Sequence, residues 1–252
     1  LAFLAGHGNI RQAVIGMRPG PAQPAEIEEM TEILKQALAE GALGLSLGLT
    51  YIPGIYASQE ELEALARAVK DADALLAVHM RSEGKNLIPS IHETIGLAEK
   101  TGARVEISHL KAAGVKNWPS IGEALRLIGE ARAKGLEIYA DAYPYEASYA
   151  ELGVVLPNEI YGAPNRLELI RDPAFRPQSL AVVRDNFAKT GVETRRIVIA
   201  ETHVPEHRRF EGKSLDTIAK EENRDPLEIL FDVLARENFE ASGFSFSQNP
   251  EI

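Results

Sequence analysis

The chain has 252 residues, of which 45% are hydrophobic, so it could bury one sizeable core or two smaller ones. Its formal net charge of −10 argues against a nucleic-acid or anionic-membrane partner, because both would repel it at long range. The chain has no cysteine, which excludes disulfides and thiolate metal ligands and fits a reducing cytoplasm. No apolar run is long enough to span a bilayer, so a cytoplasmic protein without a membrane partner is expected.

The chain opens with an apolar run, LAFLAG, that predicts a short strand. Glycines flank His7 directly after this run, which predicts a tight turn in which the imidazole bonds to backbone. In a second interpretation, His7 faces the mouth of an active site together with Asn9 and Arg11. The chain begins without methionine and ends in QNPEI without a helix stop signal, so we expect it to be cut from a longer protein.

Short β-prone apolar runs alternate with longer segments of helical periodicity between residues 42 and 145. The four runs are ALGLSLGL, LLAVHM, RVEISHL and LEIYADAY. This alternation is typical of βα units that form a parallel sheet. The intervening segments have recognisable ends: Ser58 followed by Glu61 predicts a capping box, and Gly102 and Gly135 predict left-handed helix caps.

The unit of strand plus helix recurs about every thirty residues, the size of one unit in a (β/α)8 barrel. We therefore predict an α/β protein whose residues 1–150 form a partial TIM-type barrel, covering about strands 4 to 7 of the eight. A doubly wound open sheet is the rival architecture. The glycine-rich phosphate-binding turn of a nucleotide-binding member of that class follows none of the runs.

The alternation of strands and helices stops at about residue 150. Segments with helical periodicity, including SLAVVRDNFAK and DPLEILFDVLARE, surround a single β-like run, RRIVIAET. Asp225 followed by Pro226 is a typical helix start. Residues 151–252 are therefore predicted to form a mainly helical insertion or subdomain that leads back toward the last barrel strand.

His79 and His109 lie at the same place in two successive units, each at the polar end of an apolar run. In parallel β/α folds the carboxyl ends of strands collect functional side chains, and imidazoles from adjacent strands can converge on one Zn²⁺. A single histidine in such a place is more often a satisfied structural residue. The matching position in two units, with Arg81, Glu83 and Lys111 close behind, favours a metal site.

Five segments, in this order, carry a family resemblance: GHGNIR, GALGLSLGLTYIPG, AVHMRSEG, ISHLKAAG and DAYPY. They resemble the N-acyl-D-amino-acid deacylases, the D-aminoacylase branch of the amidohydrolase superfamily, and the similarity continues through EGKSLDTIAKE. The resemblance implies that His79 and His109 are zinc ligands. It also implies that Lys111 holds the substrate α-carboxylate and that Tyr51 contacts the substrate. Tyr143 would then be a catalytic hydrogen-bond donor toward the polarised carbonyl.

The implied reaction is zinc-assisted hydrolysis of the amide of a small-molecule N-acyl-D-amino acid, which yields a carboxylate and a free D-amino acid. In the family, an aspartate from the eighth strand moves the proton. This chain departs from that pattern, because it lacks the first-strand His-x-His pair and the bridging cysteine, and the Ser-Asp-Gly aspartate would follow Ile252. A catalytic zinc normally keeps three protein ligands, so the chain alone is expected to be inactive.

Other interpretations stay open at this point. The chain could be a barrel remnant that binds a ligand or partner without catalysis. It could also be another amidohydrolase, similar to a dihydroorotase or hydantoinase, but that resemblance implies a carboxylated lysine on strand 4 and GLSLGL offers none. Lys111 could be a solvated lysine, and Tyr51 and Tyr143 could pack with a wet hydroxyl.

Structural roles are expected for several polar residues near the two histidines. Asp141 is expected to bond backbone and orient the end of its strand. Arg81 and Glu83 are expected to pair with each other or with a neighbouring strand, behind His79.

The sequence HVPEH matches a zinc-protease pattern, which requires both of its histidines on one helix face. Pro205 disfavours a helix through His203, so we interpret the match as chance. His207 is expected in a solvated loop, and His92 on the exposed side of a helix.

Overall fold

The computed structural model describes residues 2–249 and contains two compact units. The first unit comprises the residues up to Ala112 and Pro119–Tyr143, and the second comprises Ala113–Trp118 and the residues from Pro144 onward. Leu1 and residues 250–252 lie outside the described residues. The predictions made for the first residue of the LAFLAG run and for the two chain ends fall on them.

The first unit is built on a five-stranded parallel sheet in which the strands follow one another in chain order. Its strands are β1 (Ala5–Gly6), β2 (Gly44–Gly48), β3 (Leu75–His79), β4 (Arg104–Ile107) and β5 (Ile138–Ala140). Its helices are α1 (His7–Ile15), α2 (Pro24–Ala39), α3 (Gln59–Asp71), α4 (Leu87–Thr101) and α5 (Ser120–Ala133). The prediction of βα units and a parallel sheet is confirmed, and each run forms the predicted strand.

One apolar core joins this sheet to its helices. Leu45, Leu76 and Val105 of successive strands are fully buried, as are Met30 and Leu34 of α2. Successive side chains of a strand point to opposite faces of the sheet, so Val105 and Ile107 of β4 are buried, whereas Arg104 and Glu106 lie on the other face. The core therefore fixes which residues emerge where each strand ends.

The helix boundaries follow local capping chemistry. The hydroxyl of Ser58 accepts the backbone N–H of Glu61 at 3.3 Å and starts α3, and Gly102 ends α4 with φ 70°. The second hydrogen bond of the predicted capping box, from the Ser58 backbone N–H to the Glu61 carboxylate, is wrong, because that carboxylate binds His7 and Arg11 instead. Partners that are distant in the chain therefore bind the Glu61 side chain in place of the neighbouring backbone.

The turn predicted around His7 is also wrong. His7 begins α1 directly after β1, and its side chain is completely buried. Neither of the two interpretations of this residue holds, since the imidazole donates to the Glu61 carboxylate at 2.7 Å and not to backbone or toward an exposed mouth. Arg11 is equally buried, whereas Asn9 is exposed.

The second unit combines helices with a three-stranded antiparallel sheet, in the order β6, β8, β7. The strands are β6 (Ser148–Glu151), β7 (Ile197–Glu201) and β8 (Ser242–Ser245). The helices are α6 (Asn158–Tyr161), α7 (Arg166–Arg171), α8 (Arg176–Thr190), α9 (Leu215–Glu222) and α10 (Pro226–Arg236). The sequence predicted only β7, because β6 and β8 are short and partly polar. The α10 start is confirmed, since Asp225 accepts the Leu227 N–H at 2.8 Å.

Within residues 2–249, none of the helices is both long and apolar enough to cross a membrane.

Candidate metal centre

Four aromatic rings lie along the carboxyl edge of the parallel sheet, one at or just after the end of each of four neighbouring strands. In sheet order they are Tyr51, His79, His109 and Tyr143. Neighbouring ring centroids are 4.9 Å, 4.5 Å and 6.2 Å apart. The strand order therefore brings together residues that are almost a hundred positions apart in the chain. Gly48 leaves room for the first ring, since a Cβ there would lie 3.1 Å from the Tyr51 side chain.

The two imidazoles face each other directly. His79 Nδ1 and His109 Nε2 are 2.9 Å apart, although the histidines belong to different strand ends. Burial lowers the pKa of His79 to about 4, and the nearby His109 and Lys111 act in the same direction, while Glu83 opposes them. His79 is therefore neutral at physiological pH, and the neutral imidazole is the form that binds metals.

Glu83 joins the histidine pair to Lys111. Its Oε1 accepts from His109 Nδ1 at 2.9 Å and from the Lys111 ammonium at 2.5 Å. Burial works against the charged carboxylate, yet the His109 hydrogen bond and the Lys111 charge hold the pKa of Glu83 below its ordinary value. The sequence named Glu83 only as a residue pairing with Arg81 or a neighbouring strand. It pairs with the neighbouring strand end, across 26 and 28 positions.

Lys111 is nearly buried, with 5% of its side chain exposed, so the solvated-lysine interpretation is wrong. Burial lowers its pKa, while Glu83 raises it. The ammonium lies 2.9 Å from His109 Nδ1 and 5.4 Å from the centre of the Tyr143 ring. The cluster thus holds a buried cation beside His109.

The backbone at His109 adopts a left-handed conformation, with φ 44°. A residue with a Cβ gives up roughly 1–2 kcal/mol in that region, so other contacts must hold it there. Asp141, on the next strand end, accepts the His109 backbone N–H, and the Leu110 N–H donates to the Asp141 carbonyl at 2.9 Å. Asp141 thus has the backbone-bonding role that its sequence context predicts.

Arg81 does not pair with Glu83. Its guanidinium binds Glu93 of α4 at 3.0 Å and the carbonyls of Ile55 and Ala57 at 2.8 Å and 3.2 Å. Nothing in the local sequence pointed to these three partners, because they lie between 12 and 26 positions away.

The HVPEH segment holds no second metal centre. Pro205–Phe210 forms a 3-10 helix that begins after His203, so its two histidines do not share one α-helix face. The solvated loop expected for His207 is wrong, because the ring is buried and bonds Glu237 at 2.6 Å. His92 is exposed on α4, as predicted.

The donor set at the sheet edge fits a zinc ion. His79, Glu83 and His109 each offer a ligand atom, and these atoms lie within 4.8 Å of one another. Two nitrogens on a tetrahedral zinc would be roughly 3.3 Å apart, given Zn–N bonds of about 2.05 Å, and the two imidazoles already approach that spacing. Glu83 contacts His109 Nδ1, whereas Nε2 faces His79, so the carboxylate is placed to orient the His109 imidazole and the two imidazoles are placed to be the ligands of an ion between them.

No family model matches the chain. An N-acyl-D-glutamate deacylase of Alcaligenes xylosoxydans xylosoxydans is 39% identical over 150 residues, covering 59% of this chain and 30% of that protein. A D-aminoacylase of the same organism is 34% identical over 146 residues, covering 58% and 30%. The resemblance predicted from the sequence is confirmed. The chain is similar to a part of N-acyl-D-amino-acid deacylases.

Solved structures of such deacylases share the fold. The N-acyl-D-glutamate deacylase of Bordetella bronchiseptica, complexed with zinc and a phosphonate mimic of the tetrahedral intermediate, matches with a TM-score of 0.77 and 27% identity. That match covers 99% of this chain and 44% of the solved chain. A D-aminoacylase mutant in complex with copper chloride matches with a TM-score of 0.74 and 25% identity, covering 98% and 44%. The chain thus spans less than half the length of these deacylases.

Proposed function

We propose that this chain belongs to a longer zinc-dependent amidohydrolase that hydrolyses the amide of N-acyl-D-amino acids to a carboxylate and a free D-amino acid. The observation that carries the proposal is the convergence of His79 and His109 at 2.9 Å, with Lys111 beside them. The similarity to deacylases of known specificity supports it.

The proposal extends to the architecture. We infer that the five parallel strands are a part of a (β/α)8 barrel in which residues 1–150 belong to the barrel and residues 151–252 form an inserted subdomain. Strands in strict chain order with a helix after each of the first four support this inference.

Each residue of the cluster has a distinct task in this proposal. His79 and His109 would hold the zinc, which supplies an acidified water and polarises the scissile carbonyl when bound. Glu83 would keep the His109 ring oriented, because its carboxylate contacts Nδ1 while Nε2 faces His79. Lys111, a compact buried cation, would bind the substrate α-carboxylate.

Two tyrosines complete the proposed site. Tyr143 would donate a hydrogen bond to the carbonyl oxygen as negative charge develops there, and Tyr51 would contact the substrate beside His79. Their rings flank the histidine pair on its two sides, which supports these roles.

Two imidazoles alone are fewer ligands than a catalytic zinc normally has. We therefore propose that the longer protein supplies the remaining ligands and the aspartate that moves the proton. The 252-residue chain by itself would be inactive, and we expect the whole enzyme to act in the cytoplasm.

The test uses the product of the complete gene. Its zinc content is measured by elemental analysis and its turnover with N-acetyl-D-glutamate and other N-acetyl-D-amino acids. We expect zinc in the purified enzyme and turnover that a double variant, His79→Ala with His109→Ala, abolishes. Turnover that survives in the double variant would contradict the proposal, and an inactive, zinc-free gene product would favour a non-catalytic barrel remnant.

A further inference from the structure

The segment between β2 and α3, residues 49–58, carries Tyr51 to the site, and we name it the Tyr51 loop. The Ile55 N–H donates to the Tyr51 carbonyl at 2.8 Å, and the Ala57 N–H donates to the Gly54 carbonyl at 3.0 Å. The loop is therefore folded on itself, although it contains no helix longer than one 3-10 turn.

Arg81 holds this loop from the side of the next strand. It lies two residues after His79, and its guanidinium donates to the loop carbonyls of Ile55 and Ala57 while Glu93 anchors it from α4. A guanidinium presents its donors in a fixed planar fork, so it can grip two carbonyls and a carboxylate at once. The contact fixes the loop relative to the strand that ends in His79.

A second group of residues lies beside the loop. His7, Arg11 and Glu61, which we call the His7 cluster, have no exposed surface. Glu61 binds both basic side chains, and Arg11 also donates to the Gly20 carbonyl at 2.6 Å. Glu61 lies on the first turn of α3, just after the loop ends, so the cluster fixes α1 to the end of the loop.

The loop lies directly against this cluster. A Cβ at Gly54 would lie 2.4 Å from the Gly48 carbonyl oxygen and 3.6 Å from His7 Nδ1. Only glycine leaves the backbone this close, so the loop is in contact both with the end of β2 and with the His7 ring.

We propose that Arg81 and the His7 cluster are positioning residues that together set the Tyr51 ring against His79. This inference rests on the proposed function, in which Tyr51 contacts the substrate. Arg81 binds the loop carbonyls of Ile55 and Ala57, and the His7 ring lies beside Gly54. Their effect on catalysis is transmitted through backbone geometry, where a shift of about 1 Å can reduce rate by about 10²-fold.

The experiment compares Arg81→Met and Arg81→Lys with Arg67→Met in the complete gene product. Arg67 is a matched control, because it also binds a carboxylate, Glu63 at 2.9 Å, and a backbone carbonyl, Lys100 at 3.1 Å, but does so on the exposed side of α3. Hydrogen exchange of the Tyr51 loop, zinc content, melting temperature and the separate kcat and KM values are measured for each variant.

We expect Arg81→Met to lose exchange protection at Ile55 and Ala57 and to lose about 10²-fold in kcat/KM, mainly through KM, with zinc content unchanged. Arg81→Lys keeps the charge and should recover part of both effects, and Arg67→Met should resemble the wild type. Arg81→Lys also serves as the test variant if Arg81→Met does not fold.

The outcomes separate this inference from the proposed function. A loop that stays protected in both Arg81 variants would overturn the inference, as would a loosened loop with wild-type kinetics. A wild-type protein without turnover overturns the proposed function, while loss of protection in Arg81→Met would still support the role of Arg81 in holding the loop.

Discussion

His109 in the first unit and His207 in the second are each bonded to a glutamate, and these two pairs differ in what surrounds them. In the first unit, His109 Nδ1 bonds Glu83, and the opposite ring nitrogen faces His79. In the second unit, His207 bonds Glu237, and the ring stacks on Phe210 at 5.7 Å between centroids. The same two residue types therefore occur in two different settings.

The two pairs differ in which groups the glutamate binds and in what the second ring nitrogen of the histidine faces. Glu237 has both oxygens occupied by the His207 ring and by the backbone N–H groups of His203 and Val204, so the pair closes a loop onto the end of α10. Glu83 uses one oxygen, Oε1, for both the His109 ring and the Lys111 ammonium, and the second nitrogen of His109 faces His79. A His–Glu pair thus predicts a site only where the second imidazole nitrogen meets another ligand.

The sharpest test of this comparison replaces one histidine from each pair. In the complete gene product, His109→Ala should lose zinc and reduce turnover by about 10³-fold or more, because a metal contributes several kcal/mol to the barrier. His207→Ala should keep zinc and turnover and lower the melting temperature. Zinc content is measured by elemental analysis, turnover by kinetics and stability by thermal melting. Loss of zinc in His207→Ala would contradict the purely structural role of the second pair.

The next largest effect concerns the glutamate of the second unit. Glu237→Ala leaves two backbone N–H groups and a buried imidazole without their acceptor, so we expect it to cost about 3 kcal/mol of unfolding free energy. Urea unfolding of the 252-residue chain measures this. Glu240→Ala, a nearby acidic residue on the exposed surface, is the control and should change stability by less than about 0.5 kcal/mol. Equal effects of the two substitutions would argue against the structural role of Glu237.

The corresponding change in the first unit should affect activity more than stability. Glu83→Gln removes the charge that orients His109 and Lys111, so kcat/KM should fall about 10- to 100-fold. Glu63→Gln is the matched control, since Glu63 also binds two basic side chains, Arg67 and Lys100, but both of these lie on the exposed surface. A Glu83→Gln enzyme with wild-type kinetics would show that the carboxylate does not orient the site.

The smallest effect expected is the pH dependence of stability. Burial opposes ionisation of Glu237, but its bonds from His203, His207 and Val204 hold its pKa below the ordinary 4.5. A lowered folded pKa means that the stabilisation is fully present above 4.5 and is lost as the pH falls from there through the folded pKa. Melting temperature should therefore drop below pH 4.5, and less steeply in Glu237→Gln. An unchanged slope in that variant would contradict the assignment.

Local sequence features predicted much of the first unit. The four apolar runs that form β2 to β5, the N-cap at Ser58 and the left-handed cap at Gly102 depend on residues close to them in the chain. The strand ends followed from the runs, which is why His79 and His109 could be singled out as a pair.

Other features depend on partners that are distant in the chain. Glu61 has the sequence context of a capping box, yet it binds His7, 54 positions away. His207 has the context of a solvated loop, yet Glu237, 30 positions away, buries it. Burial of a charged or polar group is set by whichever partner the fold brings to it, and no nearby residue signals that partner.

The sequence by itself determined the βα units, the resemblance to the deacylases and the two histidines at successive strand ends, because hydrophobic periodicity and short motifs are local. Only the tertiary structure decided that the two imidazoles face each other, that Glu83 joins His109 to Lys111 and that the Tyr51 loop contacts both Arg81 and the His7 cluster. These contacts join residues at the ends of neighbouring strands, and residues of the helices beside them, that are distant from one another in the chain. They exist only after the hydrophobic core has fixed the register of the strands.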